Sequence, residues 1–271
     1  PFTYISAVVN GIFTASGNSR IPFLANGAGL LLNMILDPLL IFVFKMGVTG
    51  AAVATAMAQT FVMLILLLAL MRGKSRPFSV FVILRRPSAP HIRRMVRWSL
   101  PVSLESLFFT LLSMLTTRIV ATYGTGAIAT VQVGNQIESL SWLVAGGYGS
   151  AVTAFVGQNY GARQQTRIDD CVRMSMIVMT VWGVFVSLVL FFFGGALFMV
   201  FLPDRELLPL GIQYLRILSA CEIAVCIENV ASAAFRGSGQ TRQSAIASIS
   251  SNCLRVVLAY ILSATPMGIY G

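Results

Sequence analysis

The chain has 271 residues, of which 56% are hydrophobic and only 10% are charged, and its mean hydropathy is +0.82. Soluble domains carry about a quarter charged residues, so this composition excludes a soluble globular protein and indicates an integral membrane protein. The net charge of +10 would suggest a nucleic-acid partner in a soluble protein. In a membrane protein it indicates instead which loops face the cytoplasm, and we expect no nucleic-acid partner.

Seven apolar stretches are long enough to cross the ~30 Å of hydrocarbon in a bilayer. In chain order they cover residues 21–44, 49–71, 98–122, 135–158, 172–202, 207–235 and 243–263. A further apolar segment at residues 1–15 opens the chain without a charged n-region or a cleavage site, so we predict the end of another helix and not a signal peptide. The sequence therefore predicts an all-α polytopic membrane helical bundle.

The basic residues predict the orientation of these spans. When the loops are placed on alternate sides of the membrane, 14 of the 19 Lys and Arg residues fall on one side. By the positive-inside rule this side is the cytoplasm, and the span at residues 21–44 runs outward. The cytoplasmic set is Arg20, Arg72, Lys74, Arg76, Arg85, Arg86, Arg93, Arg94, Arg97, Arg163, Arg167, Arg173, Arg236 and Arg242.

The span at residues 21–44 contains a carboxylate, Asp37, directly before Pro38. A carboxylate near the bilayer centre costs roughly 2.5 to 3.5 kcal/mol on insertion scales, so we expect Asp37 to face a bundle interior or a wet cavity. Asn33 lies one helical turn earlier on the same face. Pro38 has no N–H, so the carbonyl of Met34 loses its helical partner. A carboxylate, an amide and a freed carbonyl indicate a site for a proton or for a hard cation such as sodium.

Short repeats predict two related halves. Residues 16–20 (SGNSR) recur as residues 238–242 (SGQTR) at an offset of 222, and residues 46–50 (MGVTG) recur as 267–271 (MGIYG) at an offset of 221. Both copies of the first motif begin on the cytoplasmic side, which predicts a parallel repeat of two pseudo-symmetric six-helix lobes, incomplete in this chain. We expect residues 1–71 to form the remainder of the N-lobe (the end of helix 4, then helices 5 and 6) and residues 72–97 a cytoplasmic inter-lobe loop. Residues 98–271 are expected to form helices 7 to 11 of the C-lobe, whose last helix is missing.

Several motifs resemble the multidrug and toxic compound extrusion (MATE) family. GNSR, LLLNMILDPLLIF and GVTGAAVATAMAQ are similar to its fifth and sixth spans, and LPVSLESLFFTL is similar to its seventh. NQIESLSWLVAGGYGSAVTAFVGQNYGAR resembles the eighth span, and AAFRGSGQTR the end of the tenth. The resemblance implies a monomeric, multi-pass antiporter of the inner (plasma) membrane. Such a protein exports organic cations or amphipathic drugs across the lipid bilayer, in exchange for protons or sodium, and needs no cofactor besides the coupling ion.

The resemblance also implies an ion-coupling site. In the DinF-type branch of the family, the positions of Asn33 and Asp37 form an N-lobe site with those of Thr55 on the next span and Asn10 on the preceding one. That branch has a further aspartate on its first span, which this chain does not contain. For Asn10 and Thr55 a role in helix packing stays open as the alternative. Sodium needs more oxygen ligands than these four side chains obviously supply, so protons are the favoured coupling ion, with sodium at Asp37 as the alternative.

Three glutamates in the second half are candidates for substrate binding: Glu105, Glu222 and Glu228. Family members often carry a glutamate at the position of Glu105. Structural pairing is an equal alternative, because the intramembrane Arg255 could form an ion pair with Glu222 or Glu228.

The chain contains none of the motifs HExxH, GxSxG, the P-loop or the dinucleotide fingerprint, so we do not expect an enzyme. Its four cysteines have no CxxC spacing, which indicates neither a metal site nor disulfides. Two other functions stay open: a lipid-linked oligosaccharide flippase of related architecture, and a membrane structural or receptor subunit without transport.

Overall fold

The structure, a computed structural model, describes residues 2–72 and 88–263. All regular structure in these residues is helical, and seven helices are long and apolar enough to cross a membrane. This confirms the predicted all-α membrane bundle. The helices are α1 (Phe2–Ala15), α2 (Arg20–Pro38), a π-helical turn (Leu39–Val43), α3 (Gly47–Arg72), α4 (Ala89–Ala121), α5 (Thr125–Gly161), α6 (Gln165–Phe201), α7 (Leu208–Gly237) and α8 (Thr241–Ser263).

Helix α4 begins nine residues before the predicted span, at Ala89 with Pro90 in its first turn. Proline suits this position, because the first helical N–H groups have no intrahelical acceptor to lose. Arg93, Arg94 and Arg97 therefore lie on a helix and not in the predicted loop. The hydropathy pattern marks only the apolar part of a helix, and α4 continues into a polar, basic segment.

The predicted cytoplasmic residues Lys74, Arg76, Arg85 and Arg86, and the repeat at residues 267–271, lie outside the described residues.

The described residues form two compact units, one within Pro1–Arg86 and one within Pro87–Gly271. In the first unit, α3 packs against both α1 and α2. Gly29 of α2 faces Val62 and Ala58 of α3, where a Cβ atom would collide with the Val62 side chain. The glycine thus allows a close approach of the two helices. The core of the first unit is formed by Val9, Phe13, Ala25, Val62, Leu66 and Leu70.

In the second unit α7 packs against α5 and α6, and α4 packs mainly against α8. Small residues bring α5 and α7 together near their C-terminal ends. A Cβ atom on Gly237 would lie 2.7 Å from the carbonyl oxygen of Thr153. The hydroxyl of Thr153 in turn donates a hydrogen bond to the carbonyl of Ala233, at 3.1 Å. Small-residue contacts of this kind are typical of packing between membrane helices.

The first repeated motif forms the same turn in both units. Gly17 and Gly239 both have positive φ, 81° and 77°. The next residue in each copy donates its N–H to the carbonyl five residues back, Asn18 to Phe13 at 3.0 Å and Gln240 to Phe235 at 2.8 Å. This is the hydrogen-bond pattern of a Schellman helix end, in which glycine takes the left-handed position. The matched turns, at an offset of 222 residues, support the parallel repeat; the lobe boundaries themselves stay a prediction.

Candidate functional site: a polar face on a membrane helix

The candidate site lies on one face of α2. Asn26, Asn33 and Asp37 are spaced by seven and four residues, so at 3.6 residues per turn they fall within about 40° of each other around the helix. The side-chain amide of Asn33 donates a hydrogen bond to Oδ1 of Asp37, at 3.2 Å. Both side chains are half-buried. The structure thus brings together the two residues at the centre of the predicted ion-coupling site.

Asn10 joins this face through a residue that sequence reasoning missed. The amide of Asn26 donates to Oδ1 of Asn10 on α1, at 3.3 Å, and also to the carbonyl of Pro22, at 2.7 Å. The signal that could have found Asn26 is its spacing, seven residues before Asn33. A polar stripe of about 16 Å along α2 follows from the rise of 1.5 Å per residue.

Thr55 is exposed and donates its hydroxyl proton to the carbonyl of Ala51, at 2.9 Å. This bond to the preceding turn is common for threonine in membrane helices. It is the contact that the helix-packing alternative requires, and it leaves the hydroxyl oxygen able to accept. A role for Thr55 as an ion ligand stays a prediction.

The backbone widens directly after Asp37. Pro38 is the last residue of α2, and residues Leu39–Val43 form a π-helical turn. Phe44 donates its N–H to the carbonyl of Leu39 at 3.0 Å, five residues back. Pro38 cannot donate and its ring crowds the carbonyl of residue 34, so the helix changes register here. π-Helical turns are rare and often lie at functional sites. The sequence predicted the freed carbonyl but not this wider turn.

Helix α3 holds the π-helical turn in place. A Cβ atom on Gly50 would lie 2.8 Å from the carbonyl oxygen of Leu40 and 2.9 Å from its carbonyl carbon. These are backbone atoms, which cannot move aside as a flexible side chain can. The absence of a side chain at Gly50 therefore lets α3 support the backbone next to Asp37.

Asp37 forms no ion pair with any residue of the described ranges, where the single pair within 4.0 Å joins Arg236 to Glu105. Its hydrogen-bond donor, Asn33, is a neutral amide. A neutral donor orients a carboxylate without cancelling its charge. The arrangement can therefore attract a proton or a small cation, which is the chemistry expected of a coupling site.

The three candidate substrate glutamates contact three different helices. Glu105 of α4 accepts from Arg236 of α7, at 2.8 Å. Glu222 of α7 is 2% exposed and accepts from the hydroxyl of Ser141 on α5, at 3.0 Å. Glu228, also on α7, accepts from the hydroxyl of Ser248 on α8, at 3.2 Å. Each contact joins two helices, and the structure does not bring the three carboxylates into one cluster.

The ion pair that the sequence left open for Arg255 is not formed. Glu222 and Glu228 accept from serine hydroxyls, and Arg255 makes no ion pair with a carboxylate in the described residues. Arg255 lines a cavity with Asn135 and Asn252 instead. The pairing was plausible because Glu222 and Glu228 lie on α7 and Arg255 lies on the next helix, α8. In the structure the three side chains contact different neighbours.

A known protein family and several curated proteins match this chain. The MatE family model matches residues 101–261. Among curated relatives, the chain is 27% identical over 241 residues to the probable multidrug resistance protein NorM of Thermotoga maritima, covering 88% of this chain and 52% of the relative. It is 23% identical over 266 residues to the multidrug export protein MepA of Staphylococcus aureus, covering 97% of this chain and 58% of the relative.

Solved structures agree with the sequence comparison. A multidrug resistance MATE family transporter of the MOP superfamily, in an outward-facing conformation, matches with a TM-score of 0.90 at 24% identity. The match covers 98% of this chain and 60% of that transporter. The chain thus spans about half to three fifths of the length of the relatives it matches. With a family model that matches more than half of its residues, the chain belongs to the multidrug and toxic compound extrusion (MATE) family.

Proposed function

We propose that the protein acts as a secondary active antiporter that exports organic cations or amphipathic drugs in exchange for protons. The relatives named above are described as multidrug resistance or multidrug export proteins, which supports a drug-like substrate. The protein works as a monomer in the plasma membrane and needs no cofactor besides the coupling ion.

The observation that carries this proposal is the Asn33–Asp37 pair. It places a carboxylate with a neutral hydrogen-bond donor inside a membrane-spanning helix, next to a π-helical turn. Ionisable residues inside spans are costly and usually mark ion or substrate pathways. Asp37 has no cationic partner in the described residues, so its carboxylate remains available to a coupling ion.

Alternating access follows from the two charge states of Asp37. When Asp37 is ionised, its negative charge favours binding of a cationic substrate. Binding of a proton removes the charge and weakens the hold on that substrate, so the substrate is released outward and the protein returns inward. Each ligand shifts the conformational balance only through its preference between the two states.

The side-chain oxygen atoms near Asp37 are better suited to a proton than to a sodium ion. Sodium would need a shell of several oxygen ligands, in the manner of other hard cations. Asp37 and Asn33 supply side-chain oxygens at one point of α2, while Asn10 contacts Asn26 and Thr55 bonds to its own helix. Sodium at Asp37 is therefore the second choice, with water completing its shell.

The test compares drug export by cells that express the full-length protein with Asp37→Asn, with Asp169→Asn as the matched control. Asn at position 37 keeps the shape of the side chain but cannot carry the charge, so we expect export to fall to the background of cells without the protein. Asp169 is exposed near the start of α6 and accepts from Gln165, so its variant should export normally. Normal export by Asp37→Asn at equal expression would overturn the proposal.

A further inference from the structure

The first turns of α4 carry a basic face and an apolar face. At 3.6 residues per turn, the basic side chains share one arc of about 100° around the helix axis. They are Arg93, Arg94 and Arg97. The apolar side chains share an arc of the same width on the opposite side, and they are Ile92, Met95 and Val96. Residues 91–98 (HIRRMVRW) are called the amphipathic segment below.

The apolar face of the amphipathic segment is not covered by any described part of the protein. Each of residues 88–100 is exposed, and Met95 is 68% exposed. A helix on the surface of a soluble protein turns such a face towards a core. Amphipathic helices at a bilayer surface instead insert it into the boundary between head groups and acyl chains.

Trp98 places the amphipathic segment at the end of the membrane spans. A Cβ atom on Gly239, in the turn between α7 and α8, would lie 3.7 Å from the indole Nε1 of Trp98. A turn between two spans lies at a membrane surface, so the segment continues from this surface beyond the hydrocarbon. Tryptophan is enriched at this depth, because its ring is apolar and its N–H is polar.

Pro101 separates the amphipathic segment from the apolar part of α4. It lies inside the helix, and because it has no N–H, the carbonyl of Arg97 loses its helical partner. Proline is a common cause of bends in helices. The segment can therefore tilt towards the bilayer surface without disrupting the span.

The basic face has no acidic partner in the described residues. The sequence contains no Asp or Glu between Asp37 and Glu105, and the single ion pair of the described residues joins Glu105 to Arg236. Arg94 lies over the ring of Trp98, with its guanidinium carbon 6.0 Å from the ring centroid. This contact keeps one cation at the depth of the indole.

We infer that the amphipathic segment binds anionic phospholipids, with its apolar face between the acyl chains and its arginines on the lipid phosphates. The guanidinium fork matches the paired oxygens of a phosphate. A lipid surface offers the apolar and the anionic partner side by side, whereas a nucleic acid offers the anionic one alone. The inference does not depend on what the protein transports.

The test measures binding of two lipids with a fluorescent acyl chain to the full-length protein in detergent. Phosphatidylglycerol is anionic and phosphatidylcholine is zwitterionic. When Arg93→Gln, Arg94→Gln and Arg97→Gln are combined, we expect binding of phosphatidylglycerol to weaken about ten- to hundred-fold, because each arginine near an anionic surface contributes about five-fold. Binding of phosphatidylcholine should change less than about two-fold. Lysine at all three positions keeps the charge, so most of the preference for phosphatidylglycerol should remain.

The matched control replaces three other exposed arginines with glutamine, at the end of α5 and the start of α6. They are Arg163, Arg167 and Arg173. Two carboxylates, Asp169 and Asp170, lie among them in the sequence and offset their charge, so the preference should change less than about three-fold. An unchanged preference in the first triple variant, or an equal loss in both, would overturn the inference.

A second measurement locates the apolar face in nanodiscs that contain phosphatidylglycerol. With native cysteines replaced, an environment-sensitive dye is attached to Met95→Cys or to Arg93→Cys, which lies on the opposite side of the helix. Lipids with a spin label near the head group should quench the dye at position 95 strongly and the dye at position 93 weakly. Equal quenching at both positions, or none at position 95, would show that lipid does not cover this face and would overturn the inference.

Discussion

Asp37 and its amide partner show how a single residue can keep a charge inside a membrane span. The hydrogen bond from Asn33, at 3.2 Å, fixes the direction of one carboxylate oxygen and leaves the other for an ion. Charge-assisted hydrogen bonds to carboxylates are worth roughly 1.5 to 3 kcal/mol. Placing a carboxylate at mid-membrane costs a comparable free energy on insertion scales, roughly 2.5 to 3.5 kcal/mol. The hydrogen bond from Asn33 can therefore offset much of this cost without a Lys or Arg partner for Asp37.

Glu222 behaves differently, because it is 2% exposed and bonded to Ser141 of the neighbouring helix at 3.0 Å. We expect Glu222→Ala to lower the stability of the full-length protein by about 2 kcal/mol or more, since it leaves a cavity and an unpaired hydroxyl. Glu222→Gln keeps an acceptor for Ser141 and should lower stability by less than about 1 kcal/mol. Thermal unfolding in detergent, followed by tryptophan fluorescence, measures both variants.

The same variants separate the two roles considered for Glu222. If the residue holds α5 and α7 together, Glu222→Gln should bind an organic cation with unchanged affinity. A ten-fold weaker affinity in a protein of normal stability would show instead that the carboxylate binds the substrate.

The sequence was sufficient to find Asp37 and Asn33, because a carboxylate and an amide one turn apart are unusual in an apolar run and their spacing fixes their contact. Asn26 was missed because a single asparagine near a helix start has many ordinary roles. Only the contact with Asn10 across two helices gives it significance. The partners of Glu105 and Glu222 were also out of reach, since they depend on which helices are neighbours.

At the scale of elements, the π-helical turn after Pro38 connects the site to α3. Gly50 approaches the Leu40 carbonyl oxygen so closely that a Cβ atom would lie at 2.8 Å. We expect Gly50→Ala to lower stability by about 1 to 3 kcal/mol, the usual cost of overpacking, and to reduce export because α3 must move away from the turn. Thermal unfolding and drug export of the full-length variant measure the two effects.

Gly27→Ala is the control for this prediction. Gly27 also lies in a membrane helix of the first unit, but a Cβ atom there would meet nothing within 4 Å. Alanine favours the helix over glycine by up to about 1 kcal/mol, so this variant should be as stable as the wild type or slightly more stable. Equal losses in both variants would contradict the account of the α3 contact.

Hydropathy found the seven spans that the described residues contain but not their ends. Helices α4 and α5 begin nine and ten residues before the predicted spans. In α4, backbone hydrogen bonds continue where the side chains turn polar. The repeated SGxxR turn was more informative. In both copies its glycine takes the left-handed conformation at a helix end.

At the scale of the whole molecule, the all-helical membrane fold and the sequence comparison both indicate a MATE family member. The chain is a multi-pass protein of the plasma membrane, as predicted. It belongs to a family of transporters, which confirms the prediction that it is not an enzyme. The coupling ion, the lobe boundaries and the orientation in the membrane are still predictions. Each depends on features that the sequence indicates by charge and spacing.

The orientation can be tested by labelling. Ser88 precedes α4 and Thr125 begins α5, so the two positions lie at opposite ends of one span. With native cysteines replaced, a cysteine at position 88 should react with an impermeant maleimide only from the cytoplasmic side, and one at position 125 only from outside. The reverse pattern would overturn the direction of every span.

The central claim is that Asp37 couples export to a proton gradient. The most direct measurement is uptake of a fluorescent organic cation by proteoliposomes of the full-length protein, in sodium-free buffer with an imposed pH gradient. We predict gradient-driven transport by the wild type and by Asp169→Asn, and none by Asp37→Asn. Transport that vanishes without sodium and returns when sodium is added at fixed pH would contradict proton coupling, and transport by Asp37→Asn equal to wild type would contradict the role of Asp37.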